Sequence, residues 1–208
     1  MPYSDSDDQA GSLVSAAGTP TAPAAVKILI AGGFGVGKTT MVGSVSEVPP
    51  LHTEEQLTVA GLGVDDLAGV EQKTTTTVAL DFGRITVSSQ LVLYLFGTPG
   101  QERFWFMWND LVNGALGAVV LADTRRLESS FASIDFFESR GVPFVVGVNC
   151  FDGIQDRTVP EVRDALDLDP NVPIVMGDMR SRQASRDVLV ALVNHLMADD
   201  RAPVPTGG

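Results

Sequence analysis

The chain has 208 residues, of which 44% are hydrophobic, and it carries a formal net charge of -12 at pH 7. This size predicts one domain of roughly 170 residues with short tails. The acidic balance argues against a nucleic-acid surface or a polybasic membrane anchor, and the single cysteine, Cys150, excludes an internal disulfide and a multi-cysteine zinc site.

The hydrophobic pattern predicts a folded domain at 24–198 between two tails. Residues 1–23 are rich in Ser, Asp, Ala, Gly, Thr and Pro and are expected to form a disordered arm, and 199–208 a flexible tail. Buried strands are predicted at 26–31, 77–87, 91–96, 115–122, 144–148 and 173–176. Helices are predicted at 38–46, 103–112, 128–140, 159–166 and 182–197.

The connections between the predicted strands indicate a mixed sheet. The strands at 77–87 and 91–96 are separated by too few residues for a crossover helix, so they should pair as an antiparallel hairpin at the sheet edge. The other strands should be parallel. The expected class is α/β, with a six-stranded mixed sheet that has one antiparallel edge strand and lies between two helix layers.

The segment 48–73 is the least regular part of the domain, because it contains two prolines and three glycines. Loops of this length inside a compact domain are usually functional or disordered. Two interpretations stay open: a conformation that depends on a bound nucleotide, or a disordered insertion without consequence.

A glycine-rich motif follows the first predicted strand. Residues 32–39 have the pattern Gly-x-x-x-x-Gly-Lys-Thr between a strand and a helix. Backbone N–H groups in such a turn converge on phosphate oxygens at a helix N-terminus. The predicted nucleotide-binding residues of this segment are Gly32, Gly33, Phe34, Gly35, Val36, Gly37, Lys38, Thr39 and Thr40. The alternative is a tight strand-to-helix turn without a ligand.

Two side chains of this motif have specific predicted roles. Lys38 would supply a full charge to the outer phosphates of a nucleoside triphosphate. Thr39 would give its hydroxyl to a Mg²⁺ ion bridging the same phosphates, because Mg²⁺ takes oxygen ligands.

Two later loops are suited to recognise a guanine base. Asn149 and Asp152 follow the strand at 144–148, where an Asp can accept hydrogen bonds from N1 and the exocyclic amine of guanine while an Asn holds the loop. An ordinary turn is the alternative, since Asn and Asp also favour turns. After the last strand, the loop formed by Asp178, Met179 and Arg180 is placed to offer a backbone amide to the guanine oxygen.

Two further segments resemble the switch segments of small GTPases. Residues 77–82 (Thr-Val-Ala-Leu-Asp-Phe) resemble the first switch segment of the Rab branch, and residues 97–104 (Gly-Thr-Pro-Gly-Gln-Glu-Arg-Phe) resemble the second. Asn149-Cys150-Phe151-Asp152 resembles the Asn-Lys-x-Asp motif of GTPases, with Cys150 in place of the Lys. Over about 25–198 the chain is similar to a small Ras-like GTPase, which implies the three-layer P-loop NTPase fold.

Within that superfamily the chain is most similar to the GTPases of actinobacterial conservon operons, with the gliding-motility polarity GTPase as a more distant relative. The resemblance implies GTP or GDP and Mg²⁺ as ligands. It also implies a roadblock/LC7-type partner and, as a second partner, a membrane sensor-kinase-like protein.

The resemblance assigns roles to three switch residues. Thr77 would meet Mg²⁺ and the γ-phosphate, with the register open within 74–77. Gly100 would donate its amide to the γ-phosphate, and Gln101, as the catalytic residue, would orient the attacking water. The expected activity is slow hydrolysis of GTP to GDP and phosphate by a molecular switch. The alternative is a nucleotide-binding scaffold with little or no hydrolysis.

The chain departs from the family pattern at Gly97, where Ras-like proteins have an Asp that holds a magnesium-bound water. Two interpretations stay open: magnesium is held more weakly, or a nearby carboxylate such as Asp81 or Asp123 compensates. No arginine lies beside Thr77, so Arg103 is a candidate arginine finger, with a surface ion pair as the alternative.

Four aromatic residues follow Gln101. The spacing of Phe104 and Trp108 predicts that both face the core, which leaves Trp105 and Phe106 elsewhere. An exposed Trp beside a switch is typical of a contact for a partner protein. Packing of all four under the switch helix is the alternative.

The sequence contains no signal for direct membrane attachment. No apolar run approaches the roughly 20 residues that span a bilayer, and lipidation motifs are missing at both ends of the chain. A cytoplasmic protein is therefore expected, with any recruitment to the membrane occurring through partners.

Overall fold

The computed structural model describes residues 22–49, 51–58 and 75–199. The predicted N-terminal arm and C-terminal tail lie almost wholly outside these ranges. The described residues form seven strands: β1 Ala24–Gly32, β2 Leu51–Thr58, β3 Thr75–Ser88, β4 Leu91–Gly97, β5 Ala115–Ala122, β6 Phe144–Asn149 and β7 Ile174–Gly177. They also form five α-helices: α1 Lys38–Val45, α2 Trp108–Val112, α3 Phe131–Glu138, α4 Val159–Ala165 and α5 Arg182–Asp199.

The strands form one mixed sheet in the order β2-β3-β4-β1-β5-β6-β7. All six predicted strands are present, and the predicted antiparallel hairpin of β3 and β4 is confirmed. Neighbours from β4 through β1, β5 and β6 to β7 are parallel.

The sheet extends one strand further than the sequence pattern predicts. β2 lies antiparallel to β3, with Leu51 opposite Phe82 and Thr58 opposite Thr75, so β2 rather than β3 forms the edge among the described strands. Residues 51–58 (Leu-His-Thr-Glu-Glu-Gln-Leu-Thr) are mostly polar and lack a buried-strand pattern. Backbone pairing with β3 makes them a strand, and such pairing leaves little trace in a sequence.

Each face of the sheet carries its own hydrophobic core. On one face Ile28 and Ile30 of β1 pack with residues of α1 and α5. On the other face Leu29 and Ala31 pack with residues of α2, α3 and α4. Because successive strand residues point to opposite faces, the apolar run of β1 supplies both cores. The predicted three-layer α/β fold is confirmed.

The loops that follow β1, β4, β5, β6 and β7 all lie at the carboxyl edge of the sheet, where open α/β sheets bind ligands. Among the described helices, none has both the length and the apolar character needed to cross a bilayer.

Candidate nucleotide-binding site

The loop between β1 and α1 has a backbone that only glycine can adopt at two points. Gly32 has a φ of +129°, and a Cβ atom there would lie 2.4 Å from the carbonyl oxygen of Leu121. Gly37, directly before α1, has a φ of +107°, and a Cβ atom there would lie 2.6 Å from Nδ2 of Asn149. The glycine spacing of the motif is therefore required by the close packing of this loop against β5 and the β6 loop.

Lys38 begins α1 and turns back over the loop. Its Nζ donates hydrogen bonds to the carbonyl oxygens of Gly32 and Gly33, both at 2.8 Å. Burial lowers the pKa of Lys38 to about 8, and the nearby Asp81 carboxylate partly opposes this. Phosphate oxygens at this loop would give the buried ammonium an anionic partner.

Thr39, in α1, is hydrogen-bonded to an acidic residue of β3. The Thr39 hydroxyl donates to Oδ2 of Asp81 at 2.6 Å. Asp81 is buried in β3 directly opposite Gly97 of β4. A Cβ atom at Gly97 would lie 2.9 Å from the Cβ of Asp81, so Asp81 occupies the space that a side chain at 97 would need.

These oxygens fit a magnesium ion shared with phosphates. Thr39 and Asp81 supply a hydroxyl and a carboxylate side by side, which are ligands that Mg²⁺ prefers. The described residues contain no cluster of three or more His, Cys, Asp or Glu that could hold a metal by itself. Mg²⁺ in phosphate-transferring proteins is usually bound by one or two protein groups plus substrate phosphates and water, and this pair matches that pattern.

Asp123, the other carboxylate considered for this role, is engaged elsewhere. It follows β5 and is buried, and Nε and Nη2 of Arg125 each donate to it at 2.8 Å. These hydrogen bonds lower the pKa of Asp123. Asp81, not Asp123, is the carboxylate beside Thr39.

The segment after β4 lies directly against the phosphate loop. A Cβ atom at Gly100 would lie 2.5 Å from Nζ of Lys38 and 2.9 Å from the backbone nitrogen of Phe34. Gln101 is half-buried and immediately precedes the short 3-10 helix Glu102–Met107. Gly100 and Gln101 are thus at the edge of the loop, while the side chain of Arg103 lies outside the described part of the chain.

Thr77 does not lie beside Thr39, the other predicted metal ligand. It lies within β3, opposite Gln56 of β2. Since Asp81 is four residues further along the same strand, Thr77 lies about 13 Å from it along the strand. This arrangement does not bring Thr77 beside Thr39. Thr40 is exposed in the first turn of α1.

Asn149 joins the phosphate loop to the two predicted base-recognition loops. Its Nδ2 donates to the carbonyl oxygen of Val36 at 2.9 Å, and its Oδ1 accepts from the backbone N–H of Met179 at 3.0 Å. Asn149 is buried, so both contacts are shielded from water. One side chain therefore holds the loops after β1, β6 and β7 in a single site.

Asp152, Asp178 and Arg180 form an ion-pair cluster beside this junction. Nη2 of Arg180 lies 3.0 Å from Oδ1 of Asp152 and 2.6 Å from Oδ2 of Asp178. Asp152 has a left-handed backbone with a φ of +57°, and its side chain is exposed. The hydrogen bonds from Arg180 lower the pKa of Asp178. The structure brings the three predicted residues together, with Arg180 paired to the carboxylate predicted to accept the base.

The sequence analysis missed the loop after β5 as part of this site. Nη2 of Arg126 donates to the carbonyl oxygen of Phe34 at 3.4 Å. A Cβ atom at Gly33 would lie 2.6 Å from Oγ of Ser129, so this loop packs on the phosphate loop. No motif marks these residues. The only available signal was their position after a central parallel strand, where ligand-binding loops gather.

Two comparisons by sequence identify relatives of the chain. A family model described as "Conserved hypothetical ATP binding protein" matches residues 30–199. An uncharacterized protein of Methanocaldococcus jannaschii, MJ1339, is 30% identical over 126 residues, which is 60% of this chain and 69% of that protein.

Solved structures share the fold at low identity. The G domain of the FeoB iron transporter from T. maritima has a TM-score of 0.58 and 16% identity, with 83% of this chain and 99% of that chain covered. The FeoB G domain from Methanococcus jannaschii has a TM-score of 0.55 and 15% identity, with coverage of 83% and 98%.

The larger cytosolic domain of T. maritima FeoB, in a GDP form, has a TM-score of 0.57 and 16% identity. The match covers 84% of this chain but only 64% of that domain, which is less than two thirds of its length. The fold is that of a P-loop G domain, and the match over residues 30–199 shows that the chain belongs to the family of conserved hypothetical ATP-binding proteins.

Proposed function

We propose that this protein is a guanine-nucleotide-binding switch that hydrolyses GTP. The observation that carries the proposal is the junction at Asn149, whose side chain bonds both the phosphate loop and the Met179 amide. This junction would set the proposed phosphate site next to the proposed base-recognition site. A site with that pairing suits a nucleotide better than it suits a free phosphate.

The residues around the phosphate loop would have different roles in phosphoryl transfer. Lys38 would bind the outer phosphates, the amide of Gly100 would contact the γ-phosphate, and Gln101 would orient the attacking water. Thr39 and Asp81 would hold Mg²⁺, which when bound neutralises charge on the phosphate oxygens. Thr77 would join them only if β2 and β3 rearranged, and such a rearrangement is what a nucleotide-dependent switch requires.

Guanine is proposed as the base on chemical grounds. The Asp152 carboxylate can accept from N1–H and the exocyclic amine of guanine, whereas adenine presents no donor at either position. The family is described as ATP-binding, while solved structures of the T. maritima FeoB cytosolic domain include GDP and GMPPNP forms. Preference for guanine over adenine is therefore the decisive property.

Calorimetric titration with GDP, GTP, ADP and ATP, each with and without Mg²⁺, tests this proposal. We expect tight binding of GDP and GTP and weak binding of both adenine nucleotides. Asp152→Asn should weaken GDP binding and improve binding of xanthosine diphosphate, because Asn can donate to the xanthine carbonyl. A preference for ATP would overturn the guanine assignment.

Slow hydrolysis, rather than a scaffold without hydrolysis, is proposed for the same site. The missing acid at Gly97 favours the scaffold, whereas the Asp81 carboxylate beside Gly97 and Thr39 favours hydrolysis. We expect a turnover well below about 0.1 per second in the isolated protein, as in unassisted Ras-type enzymes. Phosphate release from GTP measures it, and undetectable release with intact binding would favour the scaffold.

A partner that reads the switch is proposed to contact Trp105 and Phe106. Their side chains are 37% and 60% exposed, while Phe104 and Trp108 are buried as predicted. A roadblock/LC7-type protein is the proposed partner, and it would connect the switch to a membrane sensor-kinase-like protein. Trp105→Ala should weaken that complex without changing GDP affinity, which pull-down and titration measure separately. Unchanged partner binding by this variant would place the contact elsewhere.

A further inference from the structure

We propose that Arg126 is a second cationic phosphate-binding residue of this site, opposite Lys38. The inference rests on the proposed nucleotide site and adds to it a residue that belongs to none of its motifs.

Arg126 reaches the middle of the phosphate loop from the loop after β5. Its Nη2 lies 3.4 Å from the carbonyl oxygen of Phe34 and 3.7 Å from the position that a Cβ atom at Gly35 would take. These two loop residues are flanked by Gly32 and Gly33 on one side and Lys38 on the other. The guanidinium therefore lies against the middle of the loop that is proposed to hold the phosphates.

The backbone around Arg126 is fixed in place. The Arg126 N–H donates to the carbonyl oxygen of Asp123 at 2.9 Å, and the Ser129 N–H donates to the carbonyl oxygen of Arg126 at 3.1 Å. The Oγ of Ser129 also donates to Arg126, at 2.8 Å. Since Ser129 packs against Gly33, this turn and the phosphate loop are positioned as one unit. The position of Arg126 is thus organised before a ligand arrives.

The charge of Arg126 is less fully neutralised by Asp123 than the charge of Arg125 is. Asp123 accepts two hydrogen bonds at 2.8 Å from Arg125, and it lies 3.6 Å from Nη2 of Arg126. One carboxylate therefore faces two guanidinium groups. The contact of Arg126 with Phe34 is to a neutral carbonyl, and its side chain is about half-exposed. A guanidinium carries five N–H donors, so Arg126 has donors to offer an anion.

The glycine-rich motif and the segment 149–152 together contain one basic residue, Lys38. The segment Asn149-Cys150-Phe151-Asp152 contains no basic residue, and Cys150 is buried. Lys38 is the basic residue of the loop itself, and its ammonium already donates to the carbonyl oxygens of Gly32 and Gly33. A nucleoside di- or triphosphate carries several negative charges, so a second cation from the β5 loop would complement it.

The test compares Arg126→Gln and Arg126→Lys with a matched control, Arg140→Gln. Arg140 is also exposed, but it follows α3, stacks on Phe136 of that helix and lies outside the loops of the site. Affinities for guanosine, GMP, GDP and a non-hydrolysable GTP analogue are measured by titration at low and high salt, with thermal unfolding of each ligand-free variant.

We expect Arg126→Gln to bind guanosine normally and GDP and the GTP analogue about tenfold more weakly. Arg126→Lys should recover part of the loss, and Arg140→Gln should match the wild type. The affinity of the wild type for GDP should fall more steeply with salt concentration than that of Arg126→Gln. Salt screens the attraction between Arg126 and the phosphates, and the variant lacks that attraction. If Arg126 only held the loop in place, Arg126→Gln would have the same salt dependence of GDP binding as the wild type. Its affinities for guanosine, GMP, GDP and the GTP analogue would then also fall by the same factor.

Two results would overturn the inference alone: equal GDP affinity in wild type and Arg126→Gln, or an equal loss for guanosine and GDP. Failure of the wild type to bind any of the four ligands would overturn the proposed function, and this inference with it. If Arg126→Gln unfolds at a lower temperature than the wild type, the comparison of ligands still decides: a loss confined to GDP and the GTP analogue supports the inference, and an equal loss for guanosine overturns it.

Discussion

Asp81 and Gly97 face each other across the β3–β4 hairpin, and this pair determines where the acidic group beside Thr39 comes from. A side chain at 97 and the Asp81 side chain would compete for one space, since the two Cβ atoms would approach to 2.9 Å. The acid can therefore be supplied from either strand, but not from both at once.

Exchanging the two residues tests this relationship. Asp81→Asn should weaken GDP binding in the presence of Mg²⁺ about tenfold and change it little when Mg²⁺ is removed. Gly97→Asp alone should cost about 1–3 kcal/mol of unfolding free energy through overpacking. The double variant Asp81→Gly, Gly97→Asp should recover both properties.

Titration of GDP with and without Mg²⁺, together with urea unfolding, measures these effects. Asp110→Asn, on the exposed side of α2, serves as the control. If Asp81→Asn kept the full magnesium dependence of the wild type, the assignment of Asp81 would be wrong.

Lys38 links the stability of the ligand-free protein to pH. The pKa of Lys38 is about 8 in the folded protein, whereas the ordinary value of 10.5 applies to the unfolded chain. The unfolded chain therefore binds more protons between these values, so the contribution of this group to stability rises with pH across the window and is lowest below pH 8. The penalty for burying the charge reaches about 3 kcal/mol.

Lys38→Met should remove that penalty. We expect the variant to be more stable than the wild type near pH 7, with the difference shrinking as the pH rises toward 10.5. Urea unfolding without nucleotide, from about pH 7 to about pH 10, measures it. Nucleotide binding should be lost at every pH. A constant stability difference across the range would contradict the depressed pKa.

At the scale of elements, the loops after β1, β6 and β7 depend on one buried amide. Asn149→Ala would leave the Val36 carbonyl and the Met179 amide without their partner. We expect a loss of about 1–3 kcal/mol in unfolding free energy, together with weaker nucleotide binding.

Asn149→Asp separates the two contacts, because it keeps an acceptor for Met179 and loses the donor to Val36. Asn194→Ala, exposed on α5, should be neutral. Chemical denaturation and GDP titration of the three variants distinguish these outcomes. Wild-type stability in Asn149→Ala would mean that the loops are held together by other contacts.

Regular elements with a strong local pattern were predictable from the sequence, and β2 was not. β5 and β6 are apolar almost throughout, because both of their faces are covered by helices. The helical spacing likewise separated buried Phe104 and Trp108 from exposed Trp105 and Phe106. β2 is polar, and it becomes a strand only because β3 offers it backbone hydrogen-bonding groups.

At the scale of the whole molecule, the site is spread over five loops at one edge of the sheet, so a nucleotide that contacts several of them should stabilise the entire fold. A ligand that binds only the folded state adds about 2.7 kcal/mol at a concentration of 100 times its Kd. We expect GDP with Mg²⁺ to raise the unfolding temperature, with the effect strongly reduced in Lys38→Met. Differential scanning fluorimetry measures it, and an equal rise with ADP would argue against base selectivity.

The sequence by itself predicted the glycine-rich loop, the parallel strands and most helices along the chain, and the residues after β6 and β7 that the structure brings together beside that loop. Each of these is encoded in a short contiguous stretch, where a local pattern directly reflects backbone geometry. Only the tertiary structure decided which carboxylate lies beside Thr39 and which arginine reaches Phe34. Those contacts join residues 42 and 92 positions apart, and strand pairing and loop packing, rather than local spacing, bring them together.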